Sequence, residues 1–142
     1  MIFCLKVPED QLVPGRRVLA RSFSNHRNYD PGFICSSTEV LIYVQFDNAK
    51  TWFYDANDLT AMVLDRDPNP KDLVVGTQVV AKRPNESAHV QGIVKKEKEE
   101  NTEKTFLIEF WDGLEHWNSL EQIRILTTTK PGGNEPNHLM AE

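Results

Sequence analysis

Residues 40 to 59, VLIYVQFDNAKTWFYDANDL, decide how the rest of the chain is read. Val40, Ile42, Val44 and Phe46 fall on one side of an extended backbone, and Leu41, Tyr43, Gln45 and Asp47 fall on the other. That period of two is the mark of a half-buried strand. Asp47-Asn48 stands where a tight turn needs residues that tolerate positive φ, and a second extended run begins at Thr51. The same hairpin returns further down as TFLIEFWDGLEHWNSLEQI, with Phe106, Ile108 and Phe110 alternating against Leu107, Glu109 and Trp111. Phe110 stands 64 positions after Phe46, and Trp117 stands 64 after Phe53.

Working outward, the phrase Val18-Leu19-Ala20-Arg21 recurs as Val79-Val80-Ala81-Lys82 at a spacing of 61, and Gly32-Phe33-Ile34 recurs as Gly92-Ile93-Val94 at 60. Drift confined to loops is what an internal duplication shows when strands are fixed and connections vary. Each repeat is therefore predicted to hold five short strands, with a single 3₁₀ turn at 55–59 and again at 119–123. The expected division is an extended arm over 1–11, a first barrel over 12–64, a linker over 65–72, a second barrel over 73–126 and a disordered tail over 127–142. Ser22 to Asp30 reads as a polar loop and Lys95 to Lys104 as a solvated hairpin loop. A unit of about 55 residues is marginal alone, so the two are expected to pack on each other.

The composition, 39% apolar and 26% charged over 142 residues, is globular. No apolar run approaches a membrane span, and Met1 to Leu5 is too short for a signal peptide, so an intracellular address and no membrane partner are expected. Cys4 and Cys35 lack ligand or pairing spacing and read as free buried thiols. The net charge of −5 weighs against nucleic acid, whose binding rests on clustered Lys and Arg, and suits a cationic partner. Between Leu12 and Val63 five basic and five acidic residues cancel. His26, His89, His116 and His138 show no metal-ligand spacing, and the chain carries no phosphate loop or nucleophile elbow. Neither catalysis, metal nor cofactor is predicted.

Taken together, Val18-Leu19-Ala20-Arg21, Tyr29, Val44-Gln45-Phe46-Asp47, Trp52 and Asp58-Leu59 resemble a Tudor domain, similar to those beside the PHD fingers of polycomb-like proteins. The second repeat resembles the same family through Val79-Val80-Ala81-Lys82, Gly92, Ile108 to Gly113, Trp117 and Ile123. The resemblance covers residues 12 to 126. It implies an all-β fold of two consecutive five-stranded SH3-like barrels packed as a tandem pair.

For the methyl-lysine readers of that family the resemblance implies an aromatic cage at one end of the barrel, because the negative faces of rings replace water around a methylated ammonium. Carried over to this sequence, the walls are Tyr29, Phe46 and Trp52, with Phe23 as a fourth, and Asp47 or Asn48 is the polar edge. The rings are expected to face one another across a gap of several ångströms. In the second repeat His116 replaces Trp52, so that repeat is expected to be structural, with Trp117, like Phe53, in its core. The function implied is a non-enzymatic, nuclear reader of methylated lysine or arginine on a basic peptide such as a histone tail, with other protein subunits as further partners. The alternatives are a scaffold of the same fold that binds an unmodified partner and, disfavoured by charge, a nucleic-acid-binding barrel.

Overall fold

The computed structural model describes residues 11–126. The expected arm, apart from its last residue, and the expected tail lie outside the described residues. Ten strands follow one another, interrupted only by short 3₁₀ turns. The first five are β1 (Arg17–Arg21), β2 (Asn28–Ser37), β3 (Leu41–Phe46), β4 (Thr51–Asp55) and β5 (Met62–Leu64). The second five are β6 (Gln78–Lys82), β7 (His89–Glu100), β8 (Glu103–Phe110), β9 (Glu115–Ser119) and β10 (Ile123–Ile125). All pairings are antiparallel, in the order β5-β1-β2-β3-β4 for the first repeat and β10-β6-β7-β8-β9 for the second.

The duplication extends to individual hydrogen bonds. Gly15 and Gly76 sit at φ 90° and 97°, and their amides donate to Ile34 O at 2.7 Å and Val94 O at 2.8 Å. Both hairpin turns close alike: Ala49 N donates to Phe46 O and Gly113 N to Phe110 O, at 2.9 and 2.8 Å. Ala49 (φ 76°) and Gly113 (φ 90°) occupy the same left-handed position, where the second repeat has the residue that costs no strain and the first does not. Gly32 and Gly92 lie opposite Phe46 and Phe110. A Cβ on them would stand 2.6 Å from Gln45 O and 2.8 Å from Glu109 O respectively, so the close crossing of β2 over β3, and of β7 over β8, requires glycine.

Each repeat encloses its own core. The first gathers Val18, Ala20, Ile34, Ile42, Val44, Phe46 and Tyr54, and the second Val79, Ala81, Val94, Phe106, Ile108, Phe110 and Ile123. A third cluster of Leu19, Tyr29, Val63 and Val80 lies between them, with Leu126 against it. This is why β1 and β6 bury three successive residues instead of alternating: one face serves the barrel and the other serves the junction. The repeats are also joined in the sheet, since Tyr29 pairs with His89 and Asn28 with Val90. Arg124 ties the linker down, with its Nε 3.0 Å from Asp65 and its Nη1 3.4 Å from Asp67.

Several sequence expectations are corrected. The loop after β1 ends at Arg27, and Tyr29-Asp30-Pro31 is strand, paired with Arg21, Ala20 and Leu19. Lys95 to Lys104 is not a loop but the end of a long ribbon. Its Glu97 pairs with Phe106, and Asn101 and Thr102 (φ 53° and 69°) form the tight turn. Asp55 ends β4 and turns follow at 56–57 and 59–60, with no 3₁₀ turn, whereas the second repeat does have its 3₁₀ turn at Leu120–Gln122, and the linker adds another at Pro70–Asp72. Cys35 is exposed, not buried, at the β-bulge between Ile34 and Ser36. Phe53 and Trp117 are 49% and 37% exposed, so neither is a core residue.

Candidate functional site

The structure separates the ring residues that sequence comparison grouped. Tyr29 is wholly buried between the repeats; its hydroxyl donates to Thr60 O at 2.5 Å and accepts from Gln91 Nε2 at 2.9 Å. Phe46 is buried in the first core. Neither faces Trp52. Asp47 is held by Arg17 through two hydrogen bonds of 2.9 and 2.7 Å, which keep its carboxyl below the usual carboxylate range. Asn48 accepts from Lys50 N at 3.0 Å, so it serves its own turn.

Trp52 and Phe23 do come together. Their ring centroids lie 5.0 Å apart at 23°, which is stacking contact and not a gap. Phe53 extends the row, 5.6 Å from Trp52 at 20°, and Tyr43 follows 6.0 Å from Phe53 on the neighbouring strand. All four are exposed by 40 to 49%. Trp52 and Phe53 are adjacent in β4 and would ordinarily point to opposite faces. Their rings nonetheless stack, on a strand that pairs only with β3.

Phe23, Trp52 and Phe53 of this row line a cleft of about 310 Å³. Arg21, His26, Tyr54, Asp55 and Asp58 also line it. Tyr54 is nearly buried, its hydroxyl donating to Arg21 O; burial raises its pKa and keeps it neutral. Asp58 is contacted by Arg21 Nη2 at 2.5 Å, while its other oxygen accepts from Thr60 N at 3.1 Å and Thr60 Oγ1 at 2.9 Å. Burial opposes ionisation of this carboxyl, but the hydrogen bonds from Arg21 and Thr60 prevail and hold it below the usual range. Arg21 and Asp58 thus cancel, and Asp55 leaves the cleft with one net negative charge when His26 is neutral. Its lining of exposed rings together with a carboxylate suits a single cation with apolar substituents.

The second repeat differs at the corresponding positions. His116 stands at the Trp52 position with Nδ1 3.3 Å from Asn118 Oδ1, and Asn118 Nδ2 donates to Lys82 O at 2.8 Å, as Tyr54 does to Arg21 O. Cations of the chain lie over its exposed rings, Arg27 4.9 Å from the Trp111 centroid and Lys98 4.9 Å from that of Trp117, as Lys50 lies 5.7 Å from the Phe23 centroid in the first repeat. Sequence comparison missed Phe53, Asp55, Asp58 and His26. The Asp-x-x-Asp spacing after β4 was the available signal, since a turn at that point brings both carboxylates beside the strand's end.

No protein-family profile matches the chain, and no curated protein matches it in sequence. Solved structures do match. The SAWADEE domain of SHH1 from Arabidopsis thaliana aligns with a TM-score of 0.53 at 17% identity, over 78% of this chain and 96% of that one. Tandem Agenet domain 3-4 of ADCP1 aligns at 0.48 and 12% identity, over 81% of this chain and 80% of that one. AGD34 of Arabidopsis thaliana AGDP1 aligns at 0.49 and 13%, over 81% and 82%. The chain has a tandem Tudor-like, all-β fold.

Proposed function

We propose that this chain is a non-enzymatic reader that binds methylated lysine, or methylated arginine, on a basic peptide such as a histone tail, through the cleft in its first barrel. Phe23 and Trp52 form the principal wall, Phe53 extends it, and Asp55 is the polar edge in place of Asp47 or Asn48. The observation that carries this reading is that three exposed rings and a carboxylate line one small cleft of net charge −1. A methylated ammonium loses hydration that rings restore at about 0.5 to 2 kcal/mol per contact. Asp55 would favour a mono- or dimethylated form, which retains an N–H to donate. A role on histone tails places the chain in the nucleus.

A second reading draws on the contact between Phe23 and Trp52. A cation cannot enter between stacked rings, so it must lie against the row or part it. An unmodified partner laid along Phe23, Trp52, Phe53 and Tyr43 needs no such step, which makes the chain a protein-interaction scaffold of the same fold.

An NMR titration with histone H3 tail peptides carrying unmodified, mono-, di- and trimethylated lysine separates the two. A reader shifts the Trp52 indole N–H and the Phe23 ring at several-fold lower concentrations of a methylated peptide. Equal affinity for every form would leave the scaffold.

A further inference from the structure

Strand β4 pairs only with β3, which leaves its other edge open. Phe46 N donates to Lys50 O at 2.7 Å and Ala56 N to Val40 O at 2.8 Å, at the two ends of the register that sets Val44 against Trp52 and Tyr43 against Phe53. Bonded pairs alternate along an antiparallel ladder, so Trp52 and Tyr54 turn their backbone groups to β3, while Thr51, Phe53 and Asp55 turn theirs away. All three outward residues are exposed. Asp55 O accepts from Asp58 N at 3.0 Å, but among the described residues no hydrogen bond reaches the amide or carbonyl of Thr51 or Phe53. Such an edge is a template for another strand.

The equivalent edge of the second repeat is guarded. β9 pairs only with β8, and Phe110 N donates to Leu114 O, so the same alternation turns Glu115, Trp117 and Ser119 outward. There Glu115 is held by Lys95 at 2.5 Å, Lys98 lies 4.9 Å from the Trp117 centroid, and Ser119 N donates to Gln122 Oε1 at 3.1 Å. Charges along an edge and an occupied amide oppose pairing with a further strand. β4 carries Thr51 and Phe53 where β9 carries Glu115 and Trp117, and Phe53 is 49% exposed.

We infer that β4 is a self-association edge, onto which β4 of a second copy of this chain adds antiparallel about a twofold axis at Phe53. The stretch Thr51-Trp52-Phe53-Tyr54-Asp55 is self-complementary in that register. Each Phe53 exchanges both backbone hydrogen bonds with the other, and each Thr51 pairs with Asp55 of the other copy. Tyr43 stands beside Phe53 on the neighbouring strand, with ring centroids 6.0 Å apart, so the pairing continues this contact into one row of rings, Tyr43, Phe53, Phe53 and Tyr43. Charge complementarity favours the same register: Lys50 falls opposite Ala56 and diagonal to Asp58 of the second copy, whereas a slip that centred the axis on Asp55 would set two carboxylates face to face. Nothing in this depends on what the cleft binds.

Sedimentation velocity of the full chain without peptide, from micromolar to millimolar concentrations, reads the pairing. The parent should dimerise reversibly. Phe53→Lys sets two ammonium groups opposite each other at the axis and should weaken the dimer about tenfold or more, as should Phe53→Glu with its two carboxylates. An equal mixture of these two variants should recover association to within about threefold of the parent, because residue 53 meets only itself across the axis. Trp117→Lys, the same change on the guarded edge, should leave the dimer within about twofold of the parent. Thr51→Pro deletes an outward amide and no bond to β3, so it should also weaken the dimer, and it decides the matter if the residue 53 variants fail to fold. A parent that stays monomeric throughout overturns the inference. So does a dimer that survives Phe53→Lys or Thr51→Pro, or a mixture of folded residue 53 variants that stays monomeric.

Discussion

Trp52→Ala and Tyr29→Phe should behave as opposites. Trp52 is 42% exposed and its ring contacts are those to Phe23 and Phe53, so truncation removes two aromatic pairs, each worth about 0.5 to 1.5 kcal/mol, from a surface that stays open to water. A stability loss of about 1 to 2 kcal/mol follows, with no core cavity formed. Binding of a methylated peptide should fall roughly five- to thirtyfold, or about 1 to 2 kcal/mol. Tyr29→Phe deletes one oxygen, yet that oxygen is held at 0% exposure of its residue between Thr60 O and Gln91 Nε2. Leaving a buried partner without its bond costs about 1 to 3 kcal/mol, and it weakens the joint between the barrels. Peptide affinity should change less than twofold, because Tyr29 does not line the cleft. Urea denaturation and calorimetric titration on both variants check this. A Tyr29→Phe protein of unchanged stability with lost affinity, beside a Trp52→Ala protein that binds normally, would refute the assignment of one ring to the site and the other to the joint.

Other outcomes follow from the backbone and the buried histidine. Ala49→Gly should stabilise by about 0.5 to 1 kcal/mol and Gly113→Ala should destabilise by about 1 kcal/mol, because the left-handed position costs a Cβ-bearing residue more than glycine loses in chain entropy; thermal melts decide. Gly32→Ala should cost about 3 kcal/mol or more, since the new methyl meets the Gln45 carbonyl oxygen at 2.6 Å and backbone must move; a melting temperature within 2 °C of the parent would contradict the crossing described here. His89 is buried with Nε2 unpartnered, and burial first, then Arg124 and Lys82, push its pKa down to about 4. The unfolded chain therefore binds this proton more readily, so stability contributed by neutral His89 is complete above about pH 6.5 and lost as pH falls from there towards 4, by on the order of 3 kcal/mol in all. His89→Leu should flatten the denaturation slope between pH 6.5 and 5.

The β-architecture was legible because its signals are local. The alternation in 40–46 and 106–110, the glycines at 32 and 92 and the repeated spacing each report on one strand or one turn. The ribbon at 95–104 was not legible, because its residues are charged and strand propensity is judged by the apolar face that most strands have. Here neither face is buried beyond Phe106, and the strand persists through pairing with β8 and a turn at Asn101-Thr102. Ala49 shows the reverse failure: alanine gives no sign of positive φ, and only its counterpart Gly113 does.

The ring residues failed for a different reason, and it explains why the site lies where it does. Tyr29 precedes Asp30-Pro31 in a stretch that reads as a loop, and a ring in a loop invites a ligand. In the folded chain that stretch is the strand through which the first barrel meets the second, and Tyr29 lies opposite His89, its own counterpart in the repeat. A residue at the joint of a duplicated domain has its burial fixed by the other copy, which no pattern within one repeat reveals. Leu19 and Val80 follow the same rule, buried on what each barrel alone would leave as an outer face. The joint removes Tyr29 from the cleft's walls but fixes Thr60 through its hydroxyl, and Thr60 in turn holds Asp58 against Arg21. That neutralised pair leaves Asp55, whose Oδ1 accepts from Asn57 N at 2.8 Å and whose other oxygen is left for a ligand, as the remaining carboxylate of the lining. Duplication thus touches the first repeat's cleft only from behind, through the Tyr29–Thr60 contact, while the net charge comes from that repeat's own Arg21, Asp55 and Asp58.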